Sequence, residues 1–492
     1  MADECRSPSA KWRPCKPRAA SFSPAGAGQA PCYGKRRRQC GWRADATVWN
    51  AAGGRLPLAE SRLSERAEAS VAQPVQGRRS YWVLLSLVLG LGLGAGAARL
   101  GDGIREPMLQ ASGLVGGLWL NALKMTVIPL VVALLVVGIA KGAEAARAGR
   151  IAGRSVMWIV IVCTASAIFG MLMIQLLTGL FPLPQAAAQA LQAGLAGLDQ
   201  GAAAPQMPGI ADFMRGIIPD NVIAAASNGD VLPLVVFTLF FALAITRIGQ
   251  QGRRALLALF EAISDALLVI IGWVLWIAPV GVFALSFTVG ASAGGAAFAG
   301  VLHYIVLVSA IGIAVTLVGY PIAILAGRIG LGTFAKSMIA PQSVAISTRS
   351  SLASLPAMLA AARLMGIRER VADVTLPIAV ALFRGTGPAM NVAVAFYVAH
   401  WLGYEPSIGQ VIAATAVGAV MSYAAISLPG EITFISSIAP IAMALGVPIA
   451  PLALLVAVEM IPDIVRTLGN VTLDVAVTAA VDRSTGDEAP EA

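Results

Sequence analysis

The sequence predicts an all-α polytopic membrane protein with eight transmembrane helices plus two re-entrant helical hairpins. Three observations predict it. Of 492 residues, 57% are hydrophobic and only 12% charged, with mean hydropathy +0.77; soluble domains run near 25% charged. Eight apolar stretches reach the roughly 20 residues that cross a bilayer. Two further apolar blocks are interrupted midway by Ser, Thr, Pro and Gly, as a helix–turn–helix that dips in and returns requires.

Residues 1–79 come first, a basic tail expected to be disordered and cytoplasmic. Residues 1–80 hold fifteen Lys and Arg against six Asp and Glu, and the remainder holds twenty of each. The net charge of +9 therefore belongs to the tail. KRRR at Lys35–Arg38 suits anionic lipid, nucleic acid or simple solvation; the expected partners are the bilayer and a small solute, with no nucleic acid. No apolar core of leader length occurs here, so a cleaved signal is not expected. Cys5, Cys15, Cys32 and Cys40 lack CxxC spacing, which argues against zinc. Cys163 lies in an apolar span and reads as a packing residue. His303 and His400 are the only histidines, too few for a metal site. No metal and no cofactor are expected.

The spans fall near 81–100, 113–140, 153–181, 209–248, 255–290, 298–327, 372–402 and 450–482. The fourth and fifth exceed one straight crossing, so they are expected to be broken or tilted. The interrupted blocks are 332–362, around SVAISTRSSLASLP (Ser343–Pro356), and 407–448, around AAISLPGEITF (Ala424–Phe434). The 182–208 loop is low-complexity. Loop charge orients the whole. Arg78 and Arg79, the stretch Lys141–Arg154, Arg247, Arg253, Arg254, Arg363, Arg368, Arg370 and Arg483 all fall on one side if both termini are cytoplasmic and both blocks return. The loops 182–211 and 291–297 hold no Lys or Arg.

The last span carries EMIPDIVRTLGNVTLD, Glu459–Asp474. At about 100° per residue, Glu459, Asp463, Arg466, Thr467, Asn470 and Asp474 share an arc of roughly 100°. Each intramembrane charge costs about 2.5–3.5 kcal/mol if it faces lipid. The stripe must face protein or a water-filled cavity. As a balanced structural network it would be unusual, because it sets three carboxylates against one guanidinium.

These residues resemble the last span of the dicarboxylate/amino acid:cation symporters, the glutamate/aspartate transporter family, whose motif runs roughly D-x-x-x-D-x-x-R-T-x-x-N-x-x-x-D. TRSSLASLP (Thr348–Pro356) resembles that family's serine-rich first hairpin tip, and SLPGEI (Ser427–Ile432) its second. LKMTVIPLVV (Leu123–Val132), PDNVIAAASNGDVLPLVVF (Pro219–Phe237) and APVGVFAL (Ala278–Leu285) resemble other family blocks, in family order. The resemblance covers about residues 80–485. It implies a homotrimer of elevator-type transporters in the plasma (inner) membrane, not an enzyme. It implies that 80–292 is mainly scaffold and trimerisation spans one to five, with the third span belonging to the transport core. It implies that 298–485 is the transport core, from the sixth span through hairpin 332–362, the seventh span, hairpin 407–448 and the eighth span. Residues 486–492 form a C-terminal tail.

By position, the resemblance implies that Asp463 holds a solute ammonium and Arg466 its side-chain carboxylate. Thr467 and Asn470 complete the cradle. Ser350 and Ser351 serve the α-carboxylate, and Thr386 with Gly385 lines the pocket. A guanidinium fork matches a carboxylate, so an acidic amino acid would leave neither Asp463 nor Arg466 unmatched.

Departures bear on ion coupling. Where the family has N-M-D-G-T, with Asp and Asn helping to hold sodium, this chain reads LFRGT, Leu382–Thr386. The third span's sodium-site Thr-Ser pair aligns with Val162 and Cys163, Leu352 replaces a tip serine, and Pro462 predicts a kink. Arg384 is expected to act as a tethered cation facing Asp474 or Glu459, with protons favoured over sodium as coupling ion. Glu459 and Glu431 are the expected proton carriers. Alternatives are a carrier of another small anionic, dicarboxylate or zwitterionic solute, a non-transporting paralogue that binds its solute, and an intramembrane serine hydrolase without a visible histidine partner.

Overall fold

A bilayer core offers no water to backbone N–H and C=O groups, so an apolar chain bonds them within its own helices. The computed structural model describes residues 75–100, 102–185, 188–189, 215–293, 296–424 and 430–486, and every regular element among them is helical. The tail 1–74, most of the 182–208 loop, the second hairpin apex at 425–429 and the terminus 487–492 lie outside the described residues, with the expectations made for them.

Helix α1 spans Val75–Ala97, so the first helix begins six residues before the expected span and includes Arg78 and Arg79. Next come α2 (Asp102–Arg147) and α3 (Arg150–Leu180). The overlong fourth stretch breaks at Gly229, whose left-handed φ of 78° ends α4 (Val222–Asn228) before α5 (Val231–Ile245). The fifth breaks at Ile277 into α6 (Gln250–Trp276) and α7 (Ala278–Ala293). Helix α8 (Ala296–Pro321) runs into a π turn, Ile322–Ala326. The first interrupted block is α9 (Leu331–Thr348) packed on α10 (Ser351–Leu364).

Two spans differ from expectation. The stretch 372–402 is two helices, α11 (Glu369–Leu382) and α12 (Gly387–Leu402), parted by Phe383–Thr386. After the second pair, α13 (Ile408–Ala424) and α14 (Gly430–Leu445), the stretch 450–482 is likewise divided. Helix α15 (Ala450–Leu455) passes through a 3-10 turn, Val456–Val458, into α16 (Met460–Thr485). Pro462 does not kink a continuous helix. It sits in the first turn of α16, where its missing N–H forfeits no intrahelical bond.

Among the described residues, six helical runs are long and apolar enough to cross a membrane: Gly103–Arg147, Arg150–Leu180, Gln250–Trp276, Phe298–Ala326, Glu369–Leu402 and Met460–Thr485. Burial separates them. The apolar window of α16 is 83% buried and that of α6 only 11%, so α16 is the central helix and α6 faces outward. Helix α16 packs on α3, α8, α9, α10 and α11. Phe334, Met338, Met358, Leu376, Val471 and Val475 make one apolar cluster among α9, α10, α11 and α16. Arg368, in the turn before α11, ties this cluster to the end of α16. Its Nε donates to Asp482 Oδ1 at 2.7 Å, Nη2 to Thr485 Oγ1 at 2.8 Å, and Nη1 to Gly486 O. Carbonyls that a helix end leaves unpaired are satisfied this way.

Helices α1 and α7 approach so closely that a Cβ on Gly94 would lie 2.3 Å from Phe287 O, and one on Gly290 2.4 Å from Leu91 O. Small residues allow such contact where lipid gives helices no hydrophobic drive to associate. Gly92, with nothing within 4 Å, faces away. Gly94→Ala or Gly290→Ala should each cost about 1–3 kcal/mol by overpacking, and Gly92→Ala nothing. Thermal unfolding of the purified variants in detergent checks this; equal melting of all three would contradict the close pairing.

Candidate functional site

The polar stripe of α16 lies inside the protein. Glu459, Asp463, Arg466, Thr467, Asn470 and Asp474 are all buried. Glu459 stands at the N-cap position after the 3-10 turn, and Asp463 N donates to Glu459 O at 2.8 Å, which sets the helix phase. Arg466 Nη1 donates to Glu459 Oε1 and lies 3.5 Å from Asp463 Oδ1. The second Glu459 oxygen is 3.5 Å from the Tyr304 hydroxyl of α8. Nε and Nη2 of Arg466, one edge of its fork, are shut off from solvent without a hydrogen-bond partner.

The gap between α11 and α12 is fastened to this helix. Thr386 N donates to Asn470 Oδ1 at 3.0 Å, and Thr386 Oγ1 donates to Asn470 Oδ1 and to Arg466 O. Close approach requires glycine on both sides. A Cβ on Gly469 would lie 2.4 Å from Thr386 Cγ2, and one on Gly385 2.5 Å from Leu473 Cδ1. Helix α3 supports the gap from behind, with Ser166 Oγ donating to Gly385 O at 2.6 Å and fully buried Cys163 alongside. The Thr467 hydroxyl donates to Asp463 O of its own helix at 2.9 Å.

The first hairpin tip meets the same helix. Helix α9 ends at Arg349 in a left-handed conformation, φ 53°. Ser350 then caps α10 by accepting from Ala353 N at 3.2 Å, as Ser does at helix starts. Arg349 Nη1 lies 3.9 Å from Asp463 Oδ2. Ser351 is buried, its hydroxyl without a partner. Leu352, which stands in place of a tip serine, is half exposed. The second tip and the Glu431 side chain lie outside the described residues.

Arg384 sits in the α11–α12 gap with Nε and Nη2 sealed and unpartnered. Asp474 is fully buried, and neither of its oxygens has a hydrogen-bond partner. Each is the leading charge acting on the other, but the two do not close to an ion pair. Of the two acids expected to face Arg384, Asp474 is the one whose charge acts on it most, and Glu459 is engaged by Arg466.

Two residues at the site carry no assignment from the sequence. Arg349 was legible: a charge in the middle of an apolar block is as costly there as in the last span. Tyr304 gave no signal beyond the need of a buried tyrosine for a polar partner. With Arg349 and Arg384 present, the expected imbalance of three carboxylates against one guanidinium is not found among the described residues, where Glu459, Asp463 and Asp474 stand with Arg349, Arg384 and Arg466.

A family model described as the sodium:dicarboxylate symporter family matches residues 80–484. A C4-dicarboxylate transport protein of Laribacter hongkongensis is 27% identical over 75% of this chain and 82% of its own length. A proton/glutamate-aspartate symporter of Escherichia coli is 25% identical over 80% of this chain and 89% of its own. A proton/sodium-glutamate symport protein of Bacillus subtilis is 28% identical over 73% and 82%.

Replacing Thr386 by Val keeps the shape and removes the hydroxyl that bonds Asn470 and the Arg466 carbonyl. Thr386→Val should lower stability by about 1–3 kcal/mol, measured as thermal unfolding in detergent; an unchanged midpoint would mean the staple does not hold the gap.

Proposed function

The chain belongs to the sodium:dicarboxylate symporter family, and from that premise we propose that it carries a small acidic solute, an acidic amino acid first, coupled to protons rather than sodium. It is an integral membrane transport protein, not an enzyme. The proposal includes eight crossings with two re-entrant hairpins, assembly as a homotrimer in the plasma membrane, both termini cytoplasmic, and an elevator movement of the transport core, 298–485.

One observation carries the solute class: buried Arg466 presents an unfilled fork edge, Nε and Nη2, while its Nη1 lies near Asp463, whose other oxygen is near Arg349 of the first hairpin tip. Buried unpaired donors cost about 1–3 kcal/mol each, and a carboxylate relieves two at once. Asp463 would take the ammonium, with Thr467 and Asn470 shaping the cradle and Ser350 and Ser351 serving the second carboxylate. Arg384 would stand where a coupling cation would otherwise offset Asp474, with Glu459 and Glu431 as the groups that exchange protons.

A second reading, a C4-dicarboxylate, has its own support. Arg349 lies on the far side of Asp463 from Arg466, and two guanidiniums suit two carboxylates. The names of the relatives divide the same way.

Counterflow in proteoliposomes with labelled L-aspartate, L-glutamate and succinate should show exchange, and a sodium gradient should not speed it. Binding without exchange would mean a sensor; sodium-driven accumulation would remove the role given to Arg384. Asp463→Asn should weaken L-aspartate by about 10- to 100-fold and succinate much less. Equal losses would favour the dicarboxylate.

A further inference from the structure

The end of α12 is as firmly fixed as its start. Gly403 closes the helix in the left-handed region, φ 67°, where Gly403 N donates to His400 O at 3.1 Å and Tyr404 N to Ala399 O at 2.9 Å. This pattern satisfies the last carbonyls of a helix. Ser407 and Gln410 then cap α13 reciprocally. Ser407 N donates to Gln410 Oε1 at 2.9 Å and Gln410 N to Ser407 Oγ at 3.3 Å, as in a capping box. Gln410 Nε2 also donates to the Tyr404 hydroxyl at 2.7 Å. Glu405 stands between these two closed caps, so its backbone is held from both sides.

A cavity of about 450 Å³ opens beside this turn, between α3, α12 and α13. Gln175, His400, Tyr404 and Glu405 give it polar groups, and Phe396 and Val411 are among its apolar walls. A mostly apolar space of this size with a few converging polar groups suits a small molecule. It is remote from the polar stripe: His400 lies about 20 Å along α12 from Thr386, at the opposite end of that helix. In the orientation proposed above it opens on the non-cytoplasmic side, because α3 starts in the basic Lys141–Arg154 stretch and ends here.

We propose that this cavity is a second ligand site, separate from the polar stripe, for an organic ammonium with an apolar body. Charge decides the class. No Lys or Arg lines the cavity, and Glu405 is its one carboxylate. An acidic solute of the kind proposed for Arg466 would meet repulsion here and no guanidinium. An ammonium would pair with Glu405, and the aromatic rings of Phe396 and Tyr404 attract a cation over their faces. The Tyr404 hydroxyl accepts from Gln410 and keeps its own proton to donate, and the Gln175 amide offers both a donor and an acceptor. A metal ion fits this place poorly, since among the described residues no group of three His, Cys, Asp or Glu could hold one. The ammonium can come from a soluble amine or from the headgroup of an aminophospholipid, and the two present the same chemistry to Glu405.

Labelled benzyltrimethylammonium, with the full chain in phosphatidylglycerol vesicles, tests this. Binding to wild type should saturate, and benzenesulfonate, an anion of similar size, should not compete. Glu405→Gln should weaken the probe about tenfold or more, while its melting without probe matches wild type because Glu405 is exposed. Val411→Trp, which fills the cavity, should abolish binding. L-Aspartate should leave the bound probe in place. Non-saturable binding to wild type, equal binding to wild type and E405Q, or displacement by L-aspartate overturns the proposal. Zinc protecting wild type but not E405Q from heat, with no effect of the ammonium, overturns the ligand class. Adding phosphatidylethanolamine to the vesicles separates the sources. Weaker probe binding to wild type then identifies the lipid headgroup as an occupant, and unchanged binding identifies a soluble amine.

Discussion

The structure turns on the cost of ionised side chains in an apolar chain. Four charges within sixteen residues of one helix would cost roughly 10–14 kcal/mol against lipid, comparable to the whole stability of an ordinary domain. Helix α16 is therefore the most enclosed of the membrane-length apolar helices among the described residues. The rest of the core is arranged around that need: α3 and α8 on its flanks, the first hairpin at its acidic end, and the α11–α12 gap against Asn470.

Breaks in the helices follow from the same need. A continuous helix spends its backbone groups on itself and has none to offer a neighbour. Where α11 stops, Thr386 N is released to bond Asn470 and Gly385 O to accept from Ser166. Where α9 stops, Arg349 turns toward Asp463. Irregular backbone at membrane depth is tolerated only inside protein or against water, and both breaks lie against buried polar side chains.

Much of this was legible in the sequence. The stripe on α16 stood out because its period is that of a helix and its residues are the wrong type for lipid. The breaks in 209–248 and 255–290 followed from length, and the first hairpin from serines at the centre of an apolar block. The break in 372–402 was not legible as a break. That stretch has the length of one span, and what interrupts it is the staple to Asn470, a contact 84 positions away. Thr467 was placed in a cradle by position, but its hydroxyl proton is used on its own helix. Pro462 looked like a kink because the start of α16 could not be placed from composition alone. The cost of Arg349 in an apolar block was plain from the sequence, but its approach to Asp463, about 114 positions away, joins two helices that no local pattern links.

The charge count gives these placements a common meaning. A carboxylate at position 384 would set four acids against two guanidiniums, and only bound cations could offset the remaining two negative charges. Arginine at 384 makes the count three against three among the described residues. A solute's net negative charge would then need its own compensation, because the described cations of the site are tethered to the chain. Arg384 is the leading charge acting on Asp474, whose oxygens have no hydrogen-bond partner, so the arginine that departs from an all-acidic arrangement is also the one that keeps this buried carboxylate from standing alone.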